Sequence, residues 1–302
     1  MRDYLEWALV KLILTGLGVL PRRLARALGA FVGWMAYMLA ARLRRTALRN
    51  LELAYPNSTA EWRDQITRRL FRNLGWQFGE IAHMQHWSKD GSSPPIRYDG
   101  LEHFLAGQAR GKGVLFLTGH LGAWELSSFY HSMMGHPLEM VIRRLDNRRL
   151  DALVNGIRCK FGNRVLHKDD FARGLLLSMR KGGTVGILMD TNMTPPQGVF
   201  VPFFGHLAYT ASGLARVAIK TGAAVVPGFA VWEESEQQYV LRFGEPMTFD
   251  ENAADLTPEA RVIAATARLA AVTEQWIRRY PDQWLWVHRR WKTRPEGEPG
   301  LY

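Results

Sequence analysis

The sequence predicts an α/β protein preceded by an N-terminal membrane-associating helical segment. Three observations carry that expectation. Short β-like runs alternate with helical patterns from residue 96 onward, two apolar stretches stand before them, and 302 residues at 47% hydrophobic content can bury a large core. Alternation of this kind implies a sheet whose strands are joined by crossover helices. The chain divides accordingly into a membrane-associating segment (1–45), a helical segment and linker (46–95) and an α/β domain (96–302).

The first apolar stretch runs from Trp7 to Leu20, interrupted by Lys11, and the second from Ala27 to Ala41; Pro21-Arg22-Arg23-Leu24-Ala25-Arg26 separates them. Each is shorter than the roughly 20 apolar residues that a membrane span needs, so interfacial anchoring fits at least as well as spanning. Trp7, Trp34 and Tyr37, with Arg on both sides of the second stretch, favour a membrane over a pair of core helices. No small-residue cleavage site follows the first stretch, which argues against a removed signal peptide.

Leu51 to Pro56 reads as an extended turn into Asn57-Ser58-Thr59, a helix start, after which Trp62, Ile66, Leu70 and Leu74 recur at helical spacing. Arg63, Arg68, Arg69 and Arg72 then form a solvated face or one that meets phosphate. Ser88 to Pro95 collects Gly, Ser and Pro and marks a linker. Val114–Thr118, Leu138–Ile142, Val185–Met189 and Ala223–Val231 read as buried strands; Leu121–Met134, Asn147–Phe161, Phe171–Lys181 and Thr210–Thr221 read as the helices between them.

A formal charge of +11 calls for a negatively charged partner, with arginines clustered at Arg42, Arg44, Arg45 and Arg49, at Arg143, Arg144, Arg148 and Arg149, and at His288-Arg289-Arg290. Nucleic acid, anionic lipid, a phosphorylated substrate and an acidic carrier protein all satisfy that sign. The single cysteine, Cys159, excludes an intramolecular disulfide and a multi-cysteine metal site, and without a partner motif it reads as structural.

The chemistry concentrates where the strand Val114–Thr118 ends at Gly119-His120 and Leu121-Gly122-Ala123-Trp124-Glu125 opens a helix. In α/β sheets the carboxyl ends of strands are where ligands bind. His120 placed there can act as a base, with Glu125 reaching back to orient the ring, which is what acyl transfer to a hydroxyl requires. The chain has no Gly-x-Ser-x-Gly elbow, so a serine nucleophile is disfavoured. Asp190 ends the strand Val185–Met189 and enters the same crevice, as a site residue or as a turn cap. Phe200 to Phe204 form an apolar cluster suited to an acyl-chain wall or to a core. Trp284, Trp286 and Trp291 interleave with Arg289, Arg290 and Lys292 as at a membrane interface or a base-stacking surface.

Five ordered blocks make a resemblance specific. Arg49-Asn50-Leu51-Glu52-Leu53-Ala54-Tyr55-Pro56, Thr118 to Glu125, Val141-Ile142-Arg143-Arg144-Leu145-Asp146-Asn147, Gly198 to Gly205 and Tyr280 to Trp291 resemble, over nearly the whole chain, the bacterial lipid A biosynthesis (late or secondary) acyltransferases. Their relatives acylate phosphatidylinositol mannosides. The resemblance implies a glycerophospholipid-acyltransferase-like α/β fold, with a mixed sheet flanked by helices. It also implies a thioester donor, acyl carrier protein or acyl-CoA, and a glycolipid hydroxyl acceptor at the cytoplasmic face of the inner membrane. On it His120 is the general base and Glu125 its partner, while Arg143 and Asp190 contact substrate. Arg143 is the best candidate for a phosphate, which guanidinium engages bidentately. The oxyanion would be met by backbone N–H groups at the following helix's start or by Arg143. The family commonly has Gln after the acid at Asp190; here Thr191 stands there, which bears on acceptor or chain preference. No metal or bound cofactor is needed, and the expected partners are donor, glycolipid and an anionic membrane surface, not nucleic acid. The rival readings are acylation of a phosphatidylinositol mannoside or lysophospholipid, and a catalytically silent membrane- or nucleic-acid-binding module.

Overall fold

The computed structural model describes residues 1–88, 96–167, 171–249 and 256–302. The chain opens with four helices: α1 (Arg2–Val19), α2 (Arg22–Leu39), α3 (Ala41–Ala54) and α4 (Ala60–Met84). Thr59 caps α4 by accepting from the amide of Trp62, at the start that the sequence predicts, and Ile66 and Leu70 are buried. Helices α2 and α4 cross backbone to backbone. A Cβ on Gly29 would lie 2.2 Å from the carbonyl oxygen of Gly75, and one on Gly75 would lie 2.0 Å from that of Gly29, so neither position admits a side chain. Beside this crossing, the fully buried Glu80 accepts two bonds of 2.8 Å from Arg22, and the Arg26 guanidinium stacks on Trp76 and Trp232.

Leu51 to Ala54, expected as an extended turn, are the last turn of α3. Leu51, Leu53 and Ala54 have a core to enter, and the Asn50 side chain on the same helix donates to the carbonyls of Trp286 and His288. The outer faces of α1 and α2 carry exposed Leu5, Leu9, Leu12, Leu28, Phe31, Val32 and Trp34. Tyr37 instead turns inward and bonds Asp64. Among the described residues no single helix is long and apolar enough to cross a membrane; α2 and α3 pass that test only together, across a bend of 87°. The linker at 88–95 lies, apart from Ser88, outside the described residues.

The strands are β1 (Ile96–Asp99), β2 (Val114–Thr118), β3 (Glu139–Ile142), β4 (Arg164–His167), β5 (Thr184–Leu188), β6 (Gly198–Phe203), β7 (His206–Ala211), β8 (Ala224–Glu233) and β9 (Gln238–Phe243). Seven form one sheet in the order β1-β9-β8-β2-β5-β3-β4, parallel throughout except for the β8–β9 hairpin. This is the mixed α/β architecture expected, with helices on both faces. Helices α5 (Leu101–Ala109), α6 (Trp124–Met133) and α7 (Arg148–Arg158) share a core with Phe116, Met140 and Val226. Helices α8 (Phe171–Arg180), α9 (Gly213–Thr221) and α10 (Pro258–Arg279) cover Leu115, Leu117, Val185 and Ile187 on the other face. The four strands read from sequence are all present.

Three sequence readings need correction. Thr210 and Ala211 belong to β7, not to the helix that follows, because they pair with Val199 and Gly198 across the β6–β7 hairpin. Val201, Phe203 and Phe204 do not form an acyl-chain wall; they are buried in a core with Trp284, Trp286 and Trp291. Those tryptophans are at most 1% exposed, and Arg290 is wholly buried, donating to the carbonyl of Tyr209 and to Thr210 Oγ1. The tryptophans and Arg290 are therefore packed as a strap across the end of the sheet, while Arg289 and Lys292 stay exposed.

Candidate active site

Register alone brings two sequence-predicted residues together. Strands β2 and β5 are parallel neighbours with Thr118 opposite Leu188, so two residues later His120 and Asp190 emerge side by side at the carboxyl edge. Gly119 permits the approach: a Cβ there would lie 2.8 Å from Asp190 Cγ. The Asp190 carboxylate accepts from His120 Nδ1 at 2.9 Å, from the His120 amide at 2.7 Å and from Trp284 Nε1 at 2.7 Å.

The carboxylate is 1% exposed and the imidazole 26% exposed. Burial opposes ionisation of Asp190, but the neighbouring imidazole and the three donors outweigh it and hold the acid below the usual carboxylate range. Burial likewise disfavours the imidazolium; the charge and hydrogen bond of Asp190, with a smaller contribution from the charge of Glu125, reverse the sign and raise the His120 pKa. A carboxylate at Nδ1 fixes the tautomer with its proton there and leaves Nε2 as the basic edge.

Glu125, expected beside the ring, bonds Arg158 instead of His120. It is the second residue of α6, and the helix turns its carboxylate toward α7, where Arg158 donates two bonds to it, that from Nε at 2.8 Å. Arg143 stands at the end of β3, largely exposed, 3.1 Å from Asp146. The loop after His120 has few free donors, since the amides of His120, Gly122 and Ala123 are bonded to Asp190, Gln283 and Ala230. Trp284 is the site residue that sequence reasoning misassigned; its indole N–H reaches Asp190 because Gly122 and Leu285 bond Gln283 and His120 through their backbones.

His120 opens on a cavity of about 890 Å³ that runs between α6 and the sheet. Its lining includes exposed Arg143, Gln197 and Arg216 with half-buried Glu125 and Arg158, and buried Phe116, His131, Leu138, Met140, Gly186 and Phe243. Polar groups at its exposed end, with these buried residues apolar but for His131, suit a ligand with a charged head and a hydrocarbon tail. Among the described residues no group of three or more His, Cys, Asp or Glu side chains is placed to hold a metal ion.

The family described as bacterial lipid A biosynthesis acyltransferase matches residues 1–293. The chain belongs to that family. It is similar to the lipid A biosynthesis lauroyltransferase of Escherichia coli (strain K12), 29% identical over 95% of this chain and 93% of the relative. It is also similar to the palmitoleoyltransferase of the same organism, 28% identical over 95% and 93%, and to a lipid A biosynthesis acyltransferase of Haemophilus influenzae, 29% identical over 94% and 89%. Membership makes the protein an acyltransferase of the kind that transfers groups other than aminoacyl groups. As a lipid A biosynthesis acyltransferase family member, it carries His120, Asp190 and the cavity within the matched span.

Proposed function

We propose that the protein moves a fatty acyl group from a carrier thioester, acyl carrier protein ahead of coenzyme A, to a hydroxyl of a membrane glycolipid, with a lipid A precursor as acceptor. The observation that carries the reading is His120, held at Nδ1 by Asp190, at the opening of a cavity with polar groups at its exposed end and a mostly apolar buried lining. The relatives named for lauroyl and palmitoleoyl transfer in lipid A biosynthesis support the acceptor class and the fatty donor.

In the reaction His120 Nε2 takes the proton of the acceptor hydroxyl as its oxygen attacks the thioester carbonyl. The tetrahedral oxyanion collapses, the C–S bond breaks, and the leaving thiolate takes the proton back from the imidazolium. Asp190 stabilises the cationic ring in between. Arg143 meets phosphate at the mouth. The apolar faces of α1 and α2 lie in the cytoplasmic leaflet of the inner membrane beside anionic headgroups, with residues 1–45 as anchor and 96–302 as the catalytic domain.

The test is incubation of the vesicle-bound protein with defined acyl thioesters and a glycolipid extract, followed by mass spectrometry of the product's new ester. His120→Ala abolishes that ester on this reading. Turnover at the wild-type rate in the variant removes the base assignment, and an ester formed only on a mannoside lipid or lysophospholipid replaces the acceptor.

A further inference from the structure

Strand β5 crosses the middle of the sheet as Thr184-Val185-Gly186-Ile187-Leu188. Val185 and Ile187 face α8 to α10, so Gly186 faces α6 and lines the cavity. A glycine inside a central strand forgoes packing and adds chain entropy to be lost on folding. It is retained where something else must come close to the strand.

No protein atom accounts for this one. A Cβ on Gly186 would have Leu138 Cδ1 at 3.4 Å, the carbonyl oxygen of Glu139 at 4.0 Å and otherwise open space. The contrast is Gly228 on β8, which lines the same cavity. A Cβ there would press on Phe243 at 3.2 Å and on Phe116 at 3.4 Å, so rings already fill that position. The cross-strand neighbours of Gly186 are bulky, Phe116 on β2 and Met140 on β3. Gly186 is therefore a notch in an otherwise closed apolar floor.

Its depth gives the notch a meaning. Gly186 precedes Asp190 by four residues, about 13 Å along the strand at about 3.3 Å per residue. A hydrocarbon whose carbonyl sits at His120 reaches Gly186 only with its far end. Resting on the acyl-transfer reading above, we propose that Gly186 is a chain-length determinant: its missing side chain admits the distal methylenes of the donor's acyl group, and Leu138 is the wall opposite.

The test measures kcat/KM for a series of acyl thioesters from octanoyl to octadecanoyl, on the full-length protein with a glycolipid acceptor. Gly186→Val lowers the ratio of hexadecanoyl to octanoyl transfer by about 10-fold or more, since a methylene's worth of pocket is worth roughly that factor. Gly186→Ala lowers it less, and Leu138→Ala raises it. Should the valine variant fail to fold, the two alanine variants carry the comparison. Ratios that stay at the wild-type value, or equal losses at every chain length in folded variants, overturn the assignment. A wild-type protein that transfers no chain to any glycolipid overturns the acyl-transfer reading itself, a result distinct from an unchanged ratio.

Discussion

The carboxylate of Asp190 holds His120 at two points, the ring through Nδ1 at 2.9 Å and the backbone through its amide at 2.7 Å. One side chain thus fixes both the tautomer and the loop that carries the imidazole. Asp190→Asn keeps the shape but loses the charge and brings an NH2 group to face donors already aimed at that position. We expect kcat to fall by about 10²- to 10⁴-fold. The acidic limb of the pH–rate profile should move to lower pH, because the charge that raises the His120 pKa is gone. A variant whose limb stays in place would disconnect Asp190 from the base.

The wild-type profile has a direction of its own. On the proposed reaction His120 must be neutral to work, and its pKa is raised above the ordinary 6.5, so activity should rise with pH through a midpoint above that value. Stability runs the other way. The raised imidazole contributes fully below 6.5 and loses its contribution as pH rises through the folded pKa. The depressed Asp190 contributes above 3.8 and loses it as pH falls through its lowered value. The Tm difference between wild type and His120→Gln should therefore peak between those limits and shrink across the range in which activity appears. Thermal melts over pH check this, and a difference that grows above pH 7 contradicts it.

Glu125 gives a contrasting outcome. Its carboxylate and the Arg158 guanidinium are each 18% exposed, so Glu125→Ala strands a cation that is mostly out of water. We expect a loss on the order of 3 kcal/mol, read by denaturant melts. The acidic limb should shift less than in Asp190→Asn, since Glu125 acts on His120 by charge alone, without a hydrogen bond. A larger shift for Glu125 than for Asp190 would restore it as the orienting acid.

The difference between Glu125 and Asp190 marks how far the sequence could be read. Both His120 and Asp190 are legible as strand-end residues from the apolar runs before them, and the edge they share follows from the crossover rule. Their adjacency does not, because it depends on β5 lying beside β2 in a sheet whose order is non-sequential. Spacing favoured Glu125, five residues on, but the rotation of a helix's first turn sends that side chain to α7. The buried C-terminal strap was illegible for a related reason. Trp interleaved with Arg has the composition of an interface, and only tertiary partners such as Asp190 for Trp284 and Tyr209 for Arg290 place it inside. Short edge strands such as β1 and β4, four residues each, have too few positions for a period to show.

The apolar surface of α2 supports the last prediction. Phe31 and Trp34 are 55% and 54% exposed and stack on each other, while Gly29 and Gly33 on the opposite face press against α4. One face of the helix is thus committed to the protein, and the other has no protein to cover it among the described residues. Burying an aromatic side chain in an apolar phase is worth about 1.5–3 kcal/mol, and each 1.4 kcal/mol is about tenfold in a partition coefficient. Phe31→Glu and Trp34→Glu should therefore each lower binding to anionic vesicles by about tenfold or more, measured by co-sedimentation. Their melting temperatures should hold, because substitutions at such exposed positions change stability by about 0.5 kcal/mol or less. The Arg22–Glu80 pair on the inner side of the same helix is left intact, so the helix keeps its seat on α4. Lost vesicle binding with an unchanged melt assigns the contact to this face, whereas undiminished binding moves the membrane surface elsewhere on the protein.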